Sequence, residues 1–272
     1  MKVGQKSEKV IVDGSETLYP LLKKIIDAYV SEKENLYFDI KSHGTNVGIQ
    51  MLQSGKIDMA MASRAMNDNE VKYFINSRKK IIEKVIAYDA LAIIVNKSNP
   101  IEFLSLEQLS KIYSGEITNW ADLGGENMEI KVISRNAKSG TYDFFNKLIL
   151  KGRSPDAKLL VEKENDKIIP AVESDPAAIA YIGLGYLNNQ VKAVKISCDK
   201  GCTYIEPTQR NVQTQIYPII RPLYLYYLEE TQPKIESFIK YILSETGQRI
   251  VLQSNYIPLK NYKKVGIHLS PI

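Results

Sequence analysis

Val85-Ile86-Ala87-Tyr88-Asp89-Ala90-Leu91-Ala92-Ile93-Ile94-Val95 is an almost wholly apolar run. A buried strand of that character ordinarily ends after about five or six residues, so this stretch is too long for one sheet and is predicted to pass from one lobe into another. Tyr217-Pro-Ile-Ile-Arg-Pro-Leu-Tyr-Leu-Tyr-Tyr227 is extended and apolar too. Its two prolines suit a crossing back rather than the middle of a sheet. The chain therefore crosses twice. Residues 1–88 are expected to open lobe I, 89–217 to form lobe II, and 218–272 to complete lobe I.

Around these crossings, strand-like and helix-like patterns alternate, the signature of an α/β protein. Val10-Ile-Val12 is a short buried strand, and Asp13-Gly-Ser-Glu-Thr17 a polar turn. Leu18, Leu21, Leu22, Ile25, Ile26, Tyr29 and Val30 then mark one face of a helix, with Pro20 tolerable in its first turn. The same succession recurs at Phe38–Lys41, where the turn Ser42-His-Gly-Thr-Asn-Val-Gly48 precedes a helix. Ile57-Asp-Met-Ala-Met-Ala-Ser-Arg64 is a small apolar strand whose methionines read as core and whose end carries a hydroxyl and an arginine. Ser105 with Gln108 forms a capping box, and Trp120 reads as a packed indole. A short helix is expected over Pro170–Pro176, and a last one near Gly247–Gln253.

Ile130-Lys-Val-Ile-Ser-Arg135-Asn-Ala-Lys-Ser139-Gly140-Thr141 repeats the theme most fully. The first N–H groups of a helix lack intrahelical acceptors and sit at the positive end of its macrodipole, so such a turn is built to hold an anion. Gly140 permits close backbone approach. Ser139 and Thr141 either cap the helix or point outward as donors, and Arg135 offers a planar fork for a tetrahedral oxyanion. Ser15, Thr17 and Thr45 stand in equivalent turns, whereas His43 reads as a polar turn residue.

Composition excludes several other classes. The formal charge of +5 is dispersed in small groups, which argues against a nucleic-acid groove. No run of eighteen apolar residues exists to cross a bilayer, and Met1–Lys9 has no signal-peptide core. Cys198 and Cys202 either close a small disulfide or stay as thiols, and they are too few for a metal site. His43 and His268 lie in no hydrolase motif, and Ser54-Gly55-Lys56 lacks the context of a P-loop.

Gly14-Ser-Glu-Thr-Leu-Tyr-Pro20, Ile57–Arg64, Gly115-Glu-Ile-Thr-Asn-Trp120 and Arg135–Thr141, in this order and with Ala87–Pro100 between them, resemble the PstS-type phosphate-binding proteins over nearly the whole chain. The resemblance implies a type II periplasmic-binding-protein fold: two α/β lobes, each a central sheet flanked by helices, with the ligand in the cleft between them. It also implies a receptor exported to the periplasm or anchored outside the cytoplasmic membrane as a lipoprotein. Such a receptor hands phosphate to the membrane-embedded permease subunits of an ABC importer. It would act as a monomer, without cofactor or metal. The implied phosphate ligands are Thr17, the Leu18 N–H, Thr45, Ser63, Arg64, Arg135, Ser139, Gly140 and Thr141. Ser63 is a departure, since many members place there an Asp that accepts the proton of phosphate. A hydroxyl does not reject sulfate as a carboxylate does, so a receptor for another oxyanion is one alternative, and an enzyme acting on a phosphoryl substrate is another.

Overall fold

Strand β4 (Ile81–Val95) runs without interruption through the whole length of the apolar stretch and changes partners midway. A computed structural model describes residues 7–33, 35–156, 158–162, 164–199 and 203–259. The elements before it are β1 (Glu8–Gly14), α1 (Tyr19–Glu32), β2 (Leu36–Ile40), α2 (Thr45–Gln53), β3 (Met59–Ala62) and α3 (Asp68–Asn76). After it come β5 (Phe103–Ser105), α4 (Leu106–Tyr113), β6 (Lys131–Arg135), α5 (Gly140–Phe145), β7 (Leu160–Glu162), α6 (Asn165–Glu173), β8 (Ala178–Gly183) and β9 (Lys192–Ser197). The series ends with α7 (Gln209–Gln213), β10 (Ile220–Leu228), α8 (Gln232–Leu243) and α9 (Glu245–Gln253).

The first half of β4, from Ile81 to Ala90, lies antiparallel to β10, and the order continues through β3 and β1 to β2. From Leu91 to Val95 the same strand pairs with β8 on one side, and from Ile93 with β9 on the other. β8 leads on to β6 and β7, and β9 to β5. Two lobes thus share one strand, because each half of an all-apolar segment is buried by a different set of neighbours. The return crossing closes beside it, where the Leu91 N–H donates to the Ile219 carbonyl at 3.0 Å.

Each half has its own core. Val10, Val12, Leu22, Ile25, Met59, Phe238 and Ile242 pack together around the first sheet. Leu109, Ile112, Trp120, Phe145, Ile179 and Val194 pack around the second. Trp120 is fully buried, with its indole N–H donating to the Ala177 carbonyl at 3.0 Å. Ser105 and Gln108 form the expected capping box.

Helix α6 begins at Asn165, well before the expected Pro170, and holds that proline in its interior. Burial of Ile168, Ile169 and Val172 fixes this helix and offsets the lost N–H bond and the ring crowding that an interior proline brings. Helix α9 starts two residues earlier than expected because Ser244 caps it through the Gly247 N–H. Cys198 is exposed, while Cys202 and His268 lie outside the described residues. Among the described residues no helix is long and apolar enough to cross a membrane, and no group of His, Cys, Asp and Glu could hold a metal ion.

Candidate anion-binding site

Four chain segments meet at the carboxyl ends of parallel strands. They are the β1–α1 turn with Ser15, Glu16 and Thr17, the β2–α2 turn with Gly44 and Thr45, the end of β3 with Ser63, and the β6–α5 turn with Arg135, Ser139, Gly140 and Thr141. Together they line one small, narrow cavity. The first three segments belong to the first sheet and the fourth to the second, so the cavity lies between the lobes.

Hydroxyls line it from both sides. Thr17 Oγ1 lies 3.1 Å from Thr141 Oγ1, and Thr45 Oγ1 lies 3.3 Å from Ser63 Oγ. Ser139 caps α5, its Oγ accepting from the N–H groups of Thr141 at 3.2 Å and Tyr142 at 3.4 Å. Thr45 accepts from the Ser63 N–H at 3.2 Å, which ties α2 to the end of β3.

Two glycines let the halves approach. A Cβ on Gly140 would stand 2.3 Å from Thr45 Oγ1 and 2.8 Å from Ser63 Oγ, so any side chain there would hold the lobes apart. Gly44, at φ +99°, faces the Lys138 carbonyl in the same way, at 2.6 Å from its notional Cβ. Beside it, Asn46 Nδ2 donates across the gap to the Ala137 carbonyl at 2.8 Å.

Arg135 is buried, and its guanidinium bonds to the Glu16 carboxylate and to Asn165 Oδ1. Burial raises the Glu16 pKa above its ordinary value, against the pull of Arg135, and Glu164 and Asp166 on the same side push it further up. Tyr186 donates to the Glu16 carbonyl at 2.8 Å and remains a neutral donor, its pKa pushed up to about 12, chiefly by burial. Glu16 is the only carboxylate among the residues lining the cavity.

Two expected ligands stand elsewhere. The Leu18 side chain is in the first core, and its N–H turns to Ser15 Oγ at 3.3 Å instead of the cavity. Arg64 points to the rim, where Glu70 takes two of its donors at 2.7 Å each and Asp143 takes Nε at 2.8 Å. Paired carboxylates hold a guanidinium more firmly than neutral hydroxyls do, so Arg64 follows the acids. His43 is a turn residue as expected, bonded through Nδ1 to Asp13 at 2.7 Å.

Asn165, Asp89 and Arg221 were not singled out by sequence reasoning. Asp89 and Arg221 are fully buried and bonded to each other, and Arg221 reaches Thr17 and Thr141 from behind. The available signal was a single acid and a single base inside otherwise apolar crossing strands, since such charges are buried only as pairs.

Residues 2–246 match the family model of the PBP superfamily domain. A phosphate-binding protein PstS of Staphylococcus aureus is 31% identical over 92% of this chain and 79% of its own length. Protein SphX of Synechococcus elongatus is 28% identical over 92% of this chain and 77% of its own. Among solved structures, a protein of Clostridium perfringens described as a phosphate ABC transporter substrate-binding protein, with phosphate bound, superposes with a TM-score of 0.85. It is 33% identical, covering 93% of this chain and all of that one. An ABC-type phosphate transport receptor of Vibrio cholerae gives 0.76 at 26% identity, over 92% of this chain and all of that one. Fold, cavity and relatives agree: the chain belongs to the PBP superfamily and, within it, to the PstS phosphate-binding proteins.

Proposed function

We propose that this chain is an extracytoplasmic receptor that binds inorganic phosphate between its lobes and delivers it to the permease subunits of an ABC importer. The lobes are residues 1–88 with 218–272, and 89–217. Thr17, Thr45, Ser63, Arg135, Ser139, Gly140 and Thr141 form the anion site, and Glu16 joins them. Arg64 serves the rim and Leu18 the core.

The observation that carries this reading is the convergence of one buried guanidinium and six hydroxyl side chains on one small inter-lobe cavity. Charge-assisted hydrogen bonds contribute about 1.5–3 kcal/mol each, so five or six donors exceed the ~8 kcal/mol of micromolar affinity after ordering costs. Glu16 favours phosphate over sulfate. A carboxylate only accepts, so it can take the proton that phosphate carries near neutral pH and meets bare sulfate oxygens with like charge. It supplies what Ser63 lacks.

Calorimetry against phosphate, sulfate and arsenate tests the reading. Stoichiometric phosphate binding without product is expected, with phosphate preferred over sulfate by at least about tenfold, a difference of ~1.4 kcal/mol. Comparable sulfate affinity would make the chain a broader oxyanion receptor, and turnover of a phosphoryl compound would make it an enzyme.

A further inference from the structure

Asp89 and Arg221 face each other directly across the β4–β10 ladder, on the two strands that join the lobes, and neither is exposed at all. Arg221 Nε and Nη2 donate to Asp89 Oδ2 at 3.1 and 2.8 Å. Nη2 also donates to Thr17 Oγ1 at 3.3 Å, and Nη1 to Thr141 Oγ1 at 2.8 Å and to the Ser63 carbonyl at 3.5 Å. A guanidinium has five N–H groups, and these contacts engage all of them. Arg221 therefore has no donor left for an anion and does not line the cavity.

Its effect passes through the two threonines. A hydroxyl has one proton and two lone pairs. Thr17 and Thr141 each accept from Arg221, and the 3.1 Å contact between them makes one accept from the other as well. That hydroxyl has both lone pairs filled, so its proton can go only to a new acceptor in the cavity. We propose that Arg221, neutralised by Asp89, is a positioning residue that commits the Thr17–Thr141 pair to present one hydroxyl proton to the bound anion, coupling the strands that join the lobes to ligand capture. The assignment rests on the phosphate-receptor reading above.

It has a consequence for the ligand's orientation. The hydroxyl so committed meets an unprotonated oxygen of the anion, which leaves the proton-bearing oxygen for the other acceptors of the cavity, Glu16 among them. It also joins the halves of the molecule, because Thr17 follows β1 in the first sheet and Thr141 begins α5 behind β6 in the second. One side chain on a crossing strand touches both.

A double-mutant cycle read by calorimetry with inorganic phosphate tests this. Asp89→Leu with Arg221→Met exchanges the buried pair for apolar side chains of similar size, a replacement that buried ion pairs often tolerate. Should that protein melt without a cooperative transition, Arg221→Lys, which keeps the charge opposite Asp89 but not the fork, takes its place. In the native background either change is expected to weaken phosphate binding by about tenfold, the value of a lost charged hydrogen bond. In a Thr17→Val, Thr141→Val background the same change is expected to shift affinity by less than about twofold, since contacts acting through one another are not additive. Thr141→Ser, which restores a hydroxyl, should restore the sensitivity. Equal fold-losses in both backgrounds would overturn the proposal while leaving the receptor reading intact. A native protein that takes up no phosphate would overturn both.

Discussion

Arg135 and Arg64 both follow short strands and both sit beside turns rich in hydroxyls, yet the fold puts them to different uses. Arg135 ends β6 and reaches the cavity between the lobes, where its bonds include the Glu16 carboxylate and the Asn165 amide oxygen. Arg64, just beyond β3, lies at the rim and is held by two carboxylates, Glu70 from its own lobe and Asp143 from the opposite one. The difference teaches that an arginine in an anion-binding motif meets the ligand only where its strand carries it into the cavity, since nearby acids can hold it at the edge. Arg135 lines the cavity among hydroxyl groups, where an anion held between the lobes would meet it. Arg64 instead works as a strap across the cleft.

The comparison breaks most plainly at Arg135. Arg135→Ala should weaken phosphate binding on the order of a hundredfold, because two charged hydrogen bonds at about 1.5 kcal/mol each give roughly that factor. Calorimetry would show it directly. A dissociation constant within about twofold of the native value, a difference under ~0.5 kcal/mol, would remove Arg135 from the site and erase the contrast.

Glu16 sharpens the contrast, since it is an acid of the cavity that Arg135 bonds. Glu16→Gln keeps the shape and loses the acceptor-only character, so the preference for phosphate over sulfate should fall by about tenfold. The pH dependence has a definite sign. Burial raises the Glu16 pKa above its ordinary 4.5, against the pull of Arg135, so the carboxylate takes up its proton as pH falls through a window above 4.5. A protonated Glu16 donates, so sulfate should compete progressively better across that window in the native protein and not in Glu16→Gln. Competition titrations at several pH values would decide it, and a preference independent of pH would transfer the role to Ser63.

Much of this was legible in the sequence, and the parts that were not share a cause. The two crossings could be read because a long apolar run cannot be buried by one sheet. The four turns could be read because strand, hydroxyl, glycine and helix succeed one another in each. Which way Arg64 points was not legible, since Glu70 and Asp143 are six and seventy-nine residues from it, and only the closed cleft brings the second within 2.8 Å. Arg221 was hidden for a related reason. Its partners Asp89, Thr141 and Thr17 come from three distant segments, so a lone base in the apolar run Ile219–Leu223 hints at a buried pair without naming the partners. Side-chain direction at a lobe interface depends on tertiary contacts, and periodicity reports only on the element's own face.

Hinge motion is the next smaller effect, and it tests both arginines together. With β4 and β10 as the connections, each lobe can stay rigid while the cleft opens. Small-angle scattering should show a lower radius of gyration with phosphate than without. Superimposable profiles at saturation would leave Arg64 as a static rim bond rather than a strap that forms on closure.

The smallest effect is expected at Arg64 itself. Arg64→Ala removes an ion pair whose arginine side chain is 10% exposed and whose Asp143 partner is 33% exposed. Partly exposed pairs of this kind are worth about 0.2–1 kcal/mol, and only the fraction that forms across the cleft can favour the closed state. Phosphate affinity should therefore fall by about two- to threefold, with the loss in a faster dissociation rate, because the strap acts after the ligand is enclosed. The bonds to Glu70 lie within the first lobe, so their loss should lower the melting temperature of the ligand-free protein and not change the site. Stopped-flow dissociation together with a thermal melt would separate the two contributions. A loss in affinity as large as that of Arg135→Ala would mean that Arg64 leaves its acids when phosphate enters and turns to the ligand, and the contrast between the two arginines would fail.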